Sequence, residues 1–240
     1  MEPVWWAVGL FEAGGTLALV GEGARASLGS PAGCPRTLHR FKGAVGMGAL
    51  RGCDWVLSPK GDEVNKILKF INLINGRLIT LKYNLQLMEV IKFVNHKYGT
   101  HIVHLGPGAM APNNSWLAGF VGGAGGFHVA LGASPPPGSR LAAAGGIVVT
   151  QKERYVLDLI NKLLPGRVSL SNNPRGQWQY LAYTRWSKYL ARYPLRGAKH
   201  IQHMCWLKCN LRSSGGHQGR RHLEITRGED IVRSSPVRGG

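Results

Sequence analysis

One segment of this sequence occurs twice, and the repeat restricts the folds that the chain can adopt. The first copy, WAVGLFEAGGTLALV, starts at Trp6, and the second, WLAGFVGGAGGFHVA, starts at Trp116, so the two align without gaps at an offset of 110 residues. Each copy predicts a short helix with small residues, a glycine turn and a strand. Because small residues let two helices approach closely, we expect the copies to pack as a pseudo-twofold pair. The predicted packing positions are Gly9, Gly15, Gly119 and Gly125.

The spacing of apolar residues divides the chain into four zones. Residues 1–57 hold the first copy and then a glycine-rich stretch that has no reliable periodicity. In residues 58–112, apolar side chains recur at helical spacing and predict a helical hairpin between the two copies. Residues 113–212 hold the second copy and, from residue 147 onward, a predicted compact α+β unit. Residues 213–240 are rich in Ser, Gly and Arg and predict a basic, flexible tail.

Within the third zone, a regular series of elements is expected after the second copy. The predicted strands are 147–150, 168–170 and 177–183, and the predicted helices are 152–164, 184–193 and 198–211. A turn is expected at residues 172–176, where Pro and Gly interrupt the pattern.

Basic residues outnumber acidic residues by a wide margin. The sequence has 30 Lys and Arg against 12 Asp and Glu, for a net charge of +18, and it has no acid between Leu159 and Leu223. A one-sided charge of this kind predicts a polyanionic partner, most often nucleic acid. No apolar run is long enough for a membrane-spanning helix. Four Cys residues indicate a reducing compartment rather than a disulfide-rich scaffold.

The two copies resemble the signature of the LAGLIDADG homing endonuclease and maturase family, in its monomeric, two-repeat, organelle-intron form. Residues 7–15 and 117–125 align with the signature, and the segments FINLINGRLIT and YPLRGAKHIQHMCWLK resemble the family's inter-repeat link and late helix. The resemblance implies an α+β, pseudo-twofold fold with helices on antiparallel sheets. Because residues 21–57 lack the family pattern, we expect the first repeat, residues 1–57, to be truncated or eroded, with its sheet absent or rebuilt.

The family's catalytic acids are missing from both copies. In active relatives, the eighth signature position of each repeat carries a carboxylate that holds a divalent metal, usually Mg²⁺, which activates water for phosphodiester hydrolysis. Here these positions are Gly14 and Ala124, and the sixth position keeps an acid only as Glu12. We expect no metal, no cofactor and little cleavage, with Glu12 as a solvated or capping acid. Glu12, Gln151 and Lys199 are weak catalytic candidates, and Lys199 is interpreted as a phosphate-contacting or solvated residue.

The resemblance also indicates where nucleic acid would bind. Strands of this family lie in the DNA major groove, where alternate side chains meet base edges. The period-two spacing of Ser169, Gln177 and Gln179 predicts that these residues face nucleic acid, while Trp178 and Tyr180 point to the opposite face and pack in the core. The predicted interface comprises Gln151, Lys152, Arg154, Arg167, Ser169, Arg175, Gln177, Gln179, Arg185, Lys188, Arg192, Arg196 and Lys199.

By resemblance, the expected partner is RNA or double-stranded DNA, within an intron or ribosomal ribonucleoprotein of mitochondria, or secondly of chloroplasts. The expected role is that of an RNA-splicing maturase or a structural RNA-binding component. Two alternatives stay open, namely an active homing endonuclease that cleaves double-stranded DNA and a decaying reading frame. A zinc site is disfavoured because four ligands on one straight helix cannot surround a tetrahedral ion. Its candidate ligands are His200, His203, Cys205 and Cys209.

Overall fold

The computed structural model describes residues 2–21, 23–58, 63–129, 145–171, 176–182 and 186–215. Its first half contains α1 (Glu2–Gly14), β1 (Gly15–Val20), β2 (Gly23–Gly29), α2 (Pro35–Val45), β3 (Ala49–Arg51), β4 (Asp54–Leu57), α3 (Glu63–Ile74) and α4 (Leu81–Tyr98). Its second half contains α5 (Trp116–Ala124), β5 (Gly125–Val129), β6 (Gly145–Gln151), α6 (Arg154–Leu163), β7 (Arg167–Leu170), β8 (Trp178–Ala182), α7 (Trp186–Arg192) and α8 (Ala198–Gly215).

The strands form two antiparallel sheets with the same topology. The first sheet has the order β1-β2-β4-β3, and the second has the order β5-β6-β8-β7. In each half, a helix precedes the first strand and another connects the second strand to the third. The α+β, pseudo-twofold fold expected from the sequence is therefore confirmed. Because the repeat extends from the helix through all four strands, the two halves are equivalent over most of their length.

The expectation that residues 21–57 lack the sheet is wrong. They supply β2, β3 and β4, so the first sheet keeps all four of its strands, although β3 has only three residues and β4 only four. The inward positions of β2 are Ala24, Ala26 and Leu28, all nearly inaccessible to solvent. Alanine has little strand preference, and for this reason the alternation gave a weak signal in the sequence. Packing fixes this sheet instead, because Trp55 of β4 is fully buried beneath α2 and α3.

Helices α1 and α5 cross with their main chains in contact. A β-carbon at Gly9 would lie 1.9 Å from the carbonyl oxygen of Trp116, and one at Gly119 would lie 1.9 Å from the carbonyl oxygen of Trp6. No side chain fits in such a distance, so both positions require glycine. The two contacts are related by the repeat offset, and they place the two halves of the molecule about a pseudo-twofold axis.

The other shared glycines lie where each helix meets its first strand. A β-carbon at Gly15 would lie 2.5 Å from the ring of Phe11, and one at Gly125 would lie 2.5 Å from a methyl carbon of Val121. Phe11 and Val121 occupy the same position in the two copies and are both buried. The chain therefore turns directly from helix to strand over a core side chain, once in each repeat.

The remaining elements agree closely with the sequence-based boundaries. Helices α3 and α4 form the predicted hairpin, and α8 continues to Gly215, beyond the predicted end at residue 211. Residues 172–175 of the predicted turn and residues 216–240 of the predicted tail lie outside the described residues. Among the helices that are described, none is long and apolar enough to cross a membrane.

The crossing of α1 and α5 yields a stability prediction. Substitutions Gly9→Ala and Gly119→Ala should each lower the free energy of unfolding by about 2 kcal/mol or more, because the added methyl group collides with main chain that cannot move aside. Gly43→Ala in α2 is the control, since a β-carbon there meets nothing within 4 Å. It should raise the free energy of unfolding by up to about 1 kcal/mol. Urea unfolding measures all three, and wild-type stability in Gly9→Ala would contradict the contact.

Candidate nucleic-acid interface

The positions that carry metal-binding acids in the resembled family are the last residues of α1 and α5. Gly14 ends α1 and Ala124 ends α5, each directly before the first strand of its sheet. Gly14 is exposed, and a β-carbon there would meet nothing within 4 Å, whereas Ala124 is only 4% exposed. Beside Gly14 is an open cavity of about 230 Å³, which Glu12, Gln151 and Glu153 also line. Gln151, a weak catalytic candidate at the end of β6, thus lies near Gly14.

Glu12 is buried and binds the start of α4. Its Oε1 accepts hydrogen bonds from Thr80 N at 2.7 Å, Thr80 Oγ1 at 2.7 Å and Ile79 N at 2.9 Å. Its Oε2 accepts hydrogen bonds from Trp116 Nε1 at 2.6 Å and Ile79 N at 3.1 Å. The sequence analysis left open whether Glu12 is a solvated or a capping acid, and the structure supports the capping role. The carboxylate of Glu12, in the first repeat, accepts hydrogen bonds from the main chain at the N-terminus of α4. Its contact with Trp116 links this end of α4 to the second repeat as well.

Burial raises the pKa of Glu12 to about 7, while the hydrogen bonds from Thr80, Trp116 and Ile79 act in the opposite direction. Burial of the Tyr83 side chain, together with the charges of Glu12 and Glu153, raises the pKa of Tyr83. Tyr83 donates its hydroxyl proton to the carbonyl oxygen of Gly15 at 2.5 Å, so it acts as a structural donor beneath the cavity.

The residues present do not fit a catalytic Mg²⁺ ion. A carboxylate has about four lone-pair sites, and the five donor contacts to Glu12 occupy both of its oxygens. Gly14 and Ala124 supply no oxygen ligand. In the described part of the chain, no group of three or more His, Cys, Asp or Glu residues could hold a metal ion. We therefore derive no metal-dependent step from this site.

The candidate ligands of the disfavoured zinc site on α8 do not form a metal-binding group among the described residues. His203 is 8% exposed and packs against the rings of Phe127 and Trp206, at centroid distances of 5.4 and 5.8 Å. Cys205 is exposed, and the side chain of Cys209 lies outside the described set. His203 therefore serves as a packed aromatic residue of the second repeat.

The Glu12 contact has no counterpart in the second repeat. Trp116 corresponds to Trp6 at the repeat offset, and Glu12 corresponds to Gly122. Trp6 is 1% exposed, and no described residue accepts a hydrogen bond from its Nε1. Its ring instead lies under the guanidinium group of Arg196, with 4.7 Å between the guanidinium carbon and the ring centroid. With glycine at position 122, the buried Trp6 Nε1 has no acceptor among the described residues.

The outer face of the second sheet carries the polar residues that the strand period predicts, together with Leu181. In β7 and β8, Arg167 pairs with Leu181 and Ser169 pairs with Gln179, so these side chains share one face. Tyr180 is fully buried on the opposite face, and Trp178 is half-buried there. The predicted alternation is therefore confirmed. Gln177 directly precedes β8 and is half-buried.

The first sheet presents a comparable face that the sequence analysis missed. Thr16 of β1, Arg25 of β2 and Arg51 of β3 are exposed, and they alternate with inward residues of the same strands. The sequence analysis could not assign these exposed positions because it did not predict the strands that carry them. A usable signal was the small-residue alternation of β2, which has a buried Ala on each side of Arg25.

The prediction that Lys199 is solvated or phosphate-contacting is wrong. Lys199 is 4% exposed, because it lies one and two helical turns before His203 and Trp206 on the side of α8 that packs against β5. Arg196 is half-buried over Trp6. Neither side chain belongs to an open phosphate-binding surface.

The other predicted interface residues are distributed over several surfaces. Lys152, Lys188 and Arg192 are exposed, and the Arg192 guanidinium lies 5.4 Å from the ring centroid of Tyr193. Arg154 lies on α6, where its Nε donates to Asp158 Oδ2 at 3.2 Å and its guanidinium covers the ring of Trp178. Arg175 and Arg185 lie outside the described residues.

The two equivalent tryptophans yield a matched pair of variants. Trp116→Phe removes a hydrogen bond to a buried carboxylate, whereas Trp6→Phe removes a donor that has no acceptor. Both substitutions lose similar ring volume from sites that are at most 1% exposed. Above pH 7, where Glu12 is mainly ionised, we expect Trp116→Phe to cost about 2 kcal/mol more than Trp6→Phe, the value of a hydrogen bond to a charged group. Chemical denaturation measures the difference, and equal losses in the two variants would show that the contact to Glu12 is not stabilising.

Comparison with solved structures finds the same architecture in nucleases. I-SmaMI bound to uncleaveable DNA with a TTCT central four matches with a TM-score of 0.62 and 18% identity, over 90% of this chain and 98% of that chain. I-SmaMI bound to cleaved DNA matches with a TM-score of 0.60 and 18% identity, over 88% and 89%. The LAGLIDADG homing endonuclease I-GzeII in complex with its DNA target matches with a TM-score of 0.57 and 13% identity, over 87% and 89%.

The sequence comparisons give no corresponding match. No protein-family model matches this chain, and neither does any curated protein. At 13–18% identity, the structural likeness concerns the arrangement of the elements rather than the residues of the site. The chain therefore has the fold of the LAGLIDADG homing endonucleases.

Proposed function

We propose that this protein binds nucleic acid across the exposed faces of its two sheets and does not cleave it. The observation that carries the proposal is a contrast between the two sheets and the two helix ends. Both four-stranded sheets are complete, whereas the two helix ends that should carry catalytic carboxylates are Gly14 and Ala124. The scaffold for binding is retained, and the groups for metal-dependent hydrolysis are not.

Binding is supported by the chemistry of the sheet faces. Arg25 and Arg51 on the first sheet and Arg167 on the second are exposed cations, and Ser169 and Gln179 add hydrogen-bonding groups. Arginines supply phosphate contacts, and the polar side chains are suited to base edges. The net charge of +18 adds long-range attraction to a polyanion. The similar structures of I-SmaMI and I-GzeII include DNA complexes.

The absence of cleavage is supported by the fate of the one acid that remains in the two signatures. Glu12 is 4% exposed, and both of its oxygens accept hydrogen bonds from the protein. It is therefore a structural acid and is not available to a metal ion. Glu153 also lines the cavity, but a single carboxylate there does not make a two-metal site.

The finer part of the proposal concerns the partner. The organelle-intron character of the resembled family favours a mitochondrial protein that binds RNA, as a splicing maturase or as a structural component of a ribosomal assembly. The nucleic acid that copurifies with the protein separates these roles when it is sequenced. An intron RNA supports the maturase, a ribosomal RNA supports the structural role, and a duplex DNA target overturns the RNA assignment.

The sheet faces are tested by the salt dependence of binding. In a plot of log affinity against log salt concentration, the variant Arg25→Gln/Arg51→Gln/Arg167→Gln should have a slope about 2 to 3 smaller in magnitude than the wild type. Each duplex phosphate contact contributes about 0.9 to that slope. The matched control, Lys92→Gln/Lys97→Gln/Lys162→Gln, removes the same charge from exposed positions of α4 and α6. It should leave the slope close to that of the wild type. Equal effects of the two triple variants would contradict binding at the sheet faces.

A further inference from the structure

Helix α2 presents a basic surface that the sheet-face interface does not include. Three of its side chains, Arg36, Arg40 and Lys42, are exposed cations, and His39 is exposed between them. The helix contains no acidic residue. Among the described residues, none of these four side chains has an acidic partner. Like charges packed on one helix repel each other, so this surface is electrostatically unfavourable until a polyanion covers it.

The fold itself does not require this charge. The helix at the equivalent place in the second repeat is α6, which likewise connects the second strand to the third. In α6 the exposed Arg154 is neutralised within the helix by Asp158, at 3.2 Å. Helices α2 and α6 occupy equivalent places in the two repeats but differ in surface charge. The excess positive charge on α2 is therefore not required by its place in the fold.

Helix α3 carries further exposed cations on the same side of the first sheet. Phe41 of α2 lies 4.8 Å from the ring centroid of Trp55, and Phe70 of α3 lies 5.4 Å from it, so both helices rest on one side chain of the first sheet. Lys66 and Lys69 of α3 are exposed. The side chain of Glu63, the first residue of α3, lies outside the described set. We call Arg36, His39, Arg40, Lys42, Lys66 and Lys69 the helical basic face.

The helical basic face lies on the opposite side of the first sheet from the sheet-face interface. Trp55 points from β4 toward the helices, while Arg25 and Arg51 alternate to the other side. One nucleic acid lying along the sheet therefore leaves the helical basic face free for another.

The composition of this face favours a phosphate backbone over a protein partner. The exposed large apolar residues of the described chain occur on other elements, such as Leu85 of α4 and Ile201 of α8, and none lies on α2 or α3. Protein interfaces need an apolar or aromatic centre, whereas phosphate contacts need only Arg, Lys and polar groups. The 11 residues of α2 extend about 16 Å, which matches the rise of about five nucleotides in one strand.

We propose that the helical basic face is a second nucleic-acid-binding site, so that one protein molecule holds two nucleic-acid segments on opposite sides of its first sheet. The site is expected to bind the phosphate backbone without sequence preference, because it offers cations rather than an ordered set of base-reading groups. The inference extends the proposed function, yet the helical basic face would bind nucleic acid even without the sheet faces.

The experiment is a bridging assay with two differently labelled 20-nucleotide RNAs and, separately, two labelled 20-base-pair DNAs. The wild-type protein should bring both labels together by energy transfer and should bind two molecules at saturation. The variant Arg36→Gln/Arg40→Gln/Lys42→Gln should lose the energy transfer and retain one bound molecule. The control Lys92→Gln/Lys97→Gln/Lys162→Gln, with the same net charge, should behave as the wild type. Urea unfolding of each variant establishes that it is folded.

The outcomes separate the two proposals. One bound molecule on the wild type, or equal losses in the α2 variant and its control, would overturn the second site while leaving the sheet-face function intact. Loss of one of the two bound molecules in Arg25→Gln/Arg51→Gln/Arg167→Gln, with the other retained, supports both proposals. If that triple variant changes nothing and the α2 variant abolishes all binding, the sheet-face function fails and the helical site stands. Capture of polyglutamate in place of either nucleic acid, dependent on α2, would show an acidic-protein site and overturn the proposal.

Discussion

At the crossing of α1 and α5, the main chains of the two repeats touch at Gly9 and Gly119. This contact fixes the relation between the halves, because each helix leads directly into the first strand of its own sheet. A larger residue at either position would separate the helices and move both sheets. Gly9 and Gly119 are therefore structural residues, and they hold the two-sheet scaffold together although Gly14 and Ala124 provide no acid at the ends of the same helices.

The sixth and eighth signature positions have separate physical roles. At the sixth position, Glu12 stabilises the molecule by joining α1 to the start of α4 and to Trp116. At the eighth position, Gly14 is exposed and its side-chain space is open, so glycine there leaves no gap in the core. In the second repeat the sixth position is Gly122, and Trp6 Nε1 has no acceptor among the described residues.

The sequence was informative where side chains carried a strong period and uninformative where they did not. The repeat and the alternation around Tyr180 predicted the helix pair, the second sheet and its two faces correctly. The first sheet was missed because β2 buries Ala24 and Ala26, which resemble a loop composition as much as a strand. Lys199 was misplaced because helix periodicity alone does not reveal which side of α8 faces β5. The helical basic face was missed together with α2, which lay in the zone without recognised periodicity.

Binding without cleavage is tested most directly in a single reaction. Purified protein is incubated with Mg²⁺ and a library of duplex DNA and single-stranded RNA, and the bound molecules are isolated and their ends sequenced. The bound fraction should be enriched over a no-protein control, and its molecules should have the same intact ends as the input. New ends at a fixed position in bound DNA, dependent on both protein and Mg²⁺, would contradict the loss of nuclease activity. A bound fraction no larger than the control would contradict the binding function.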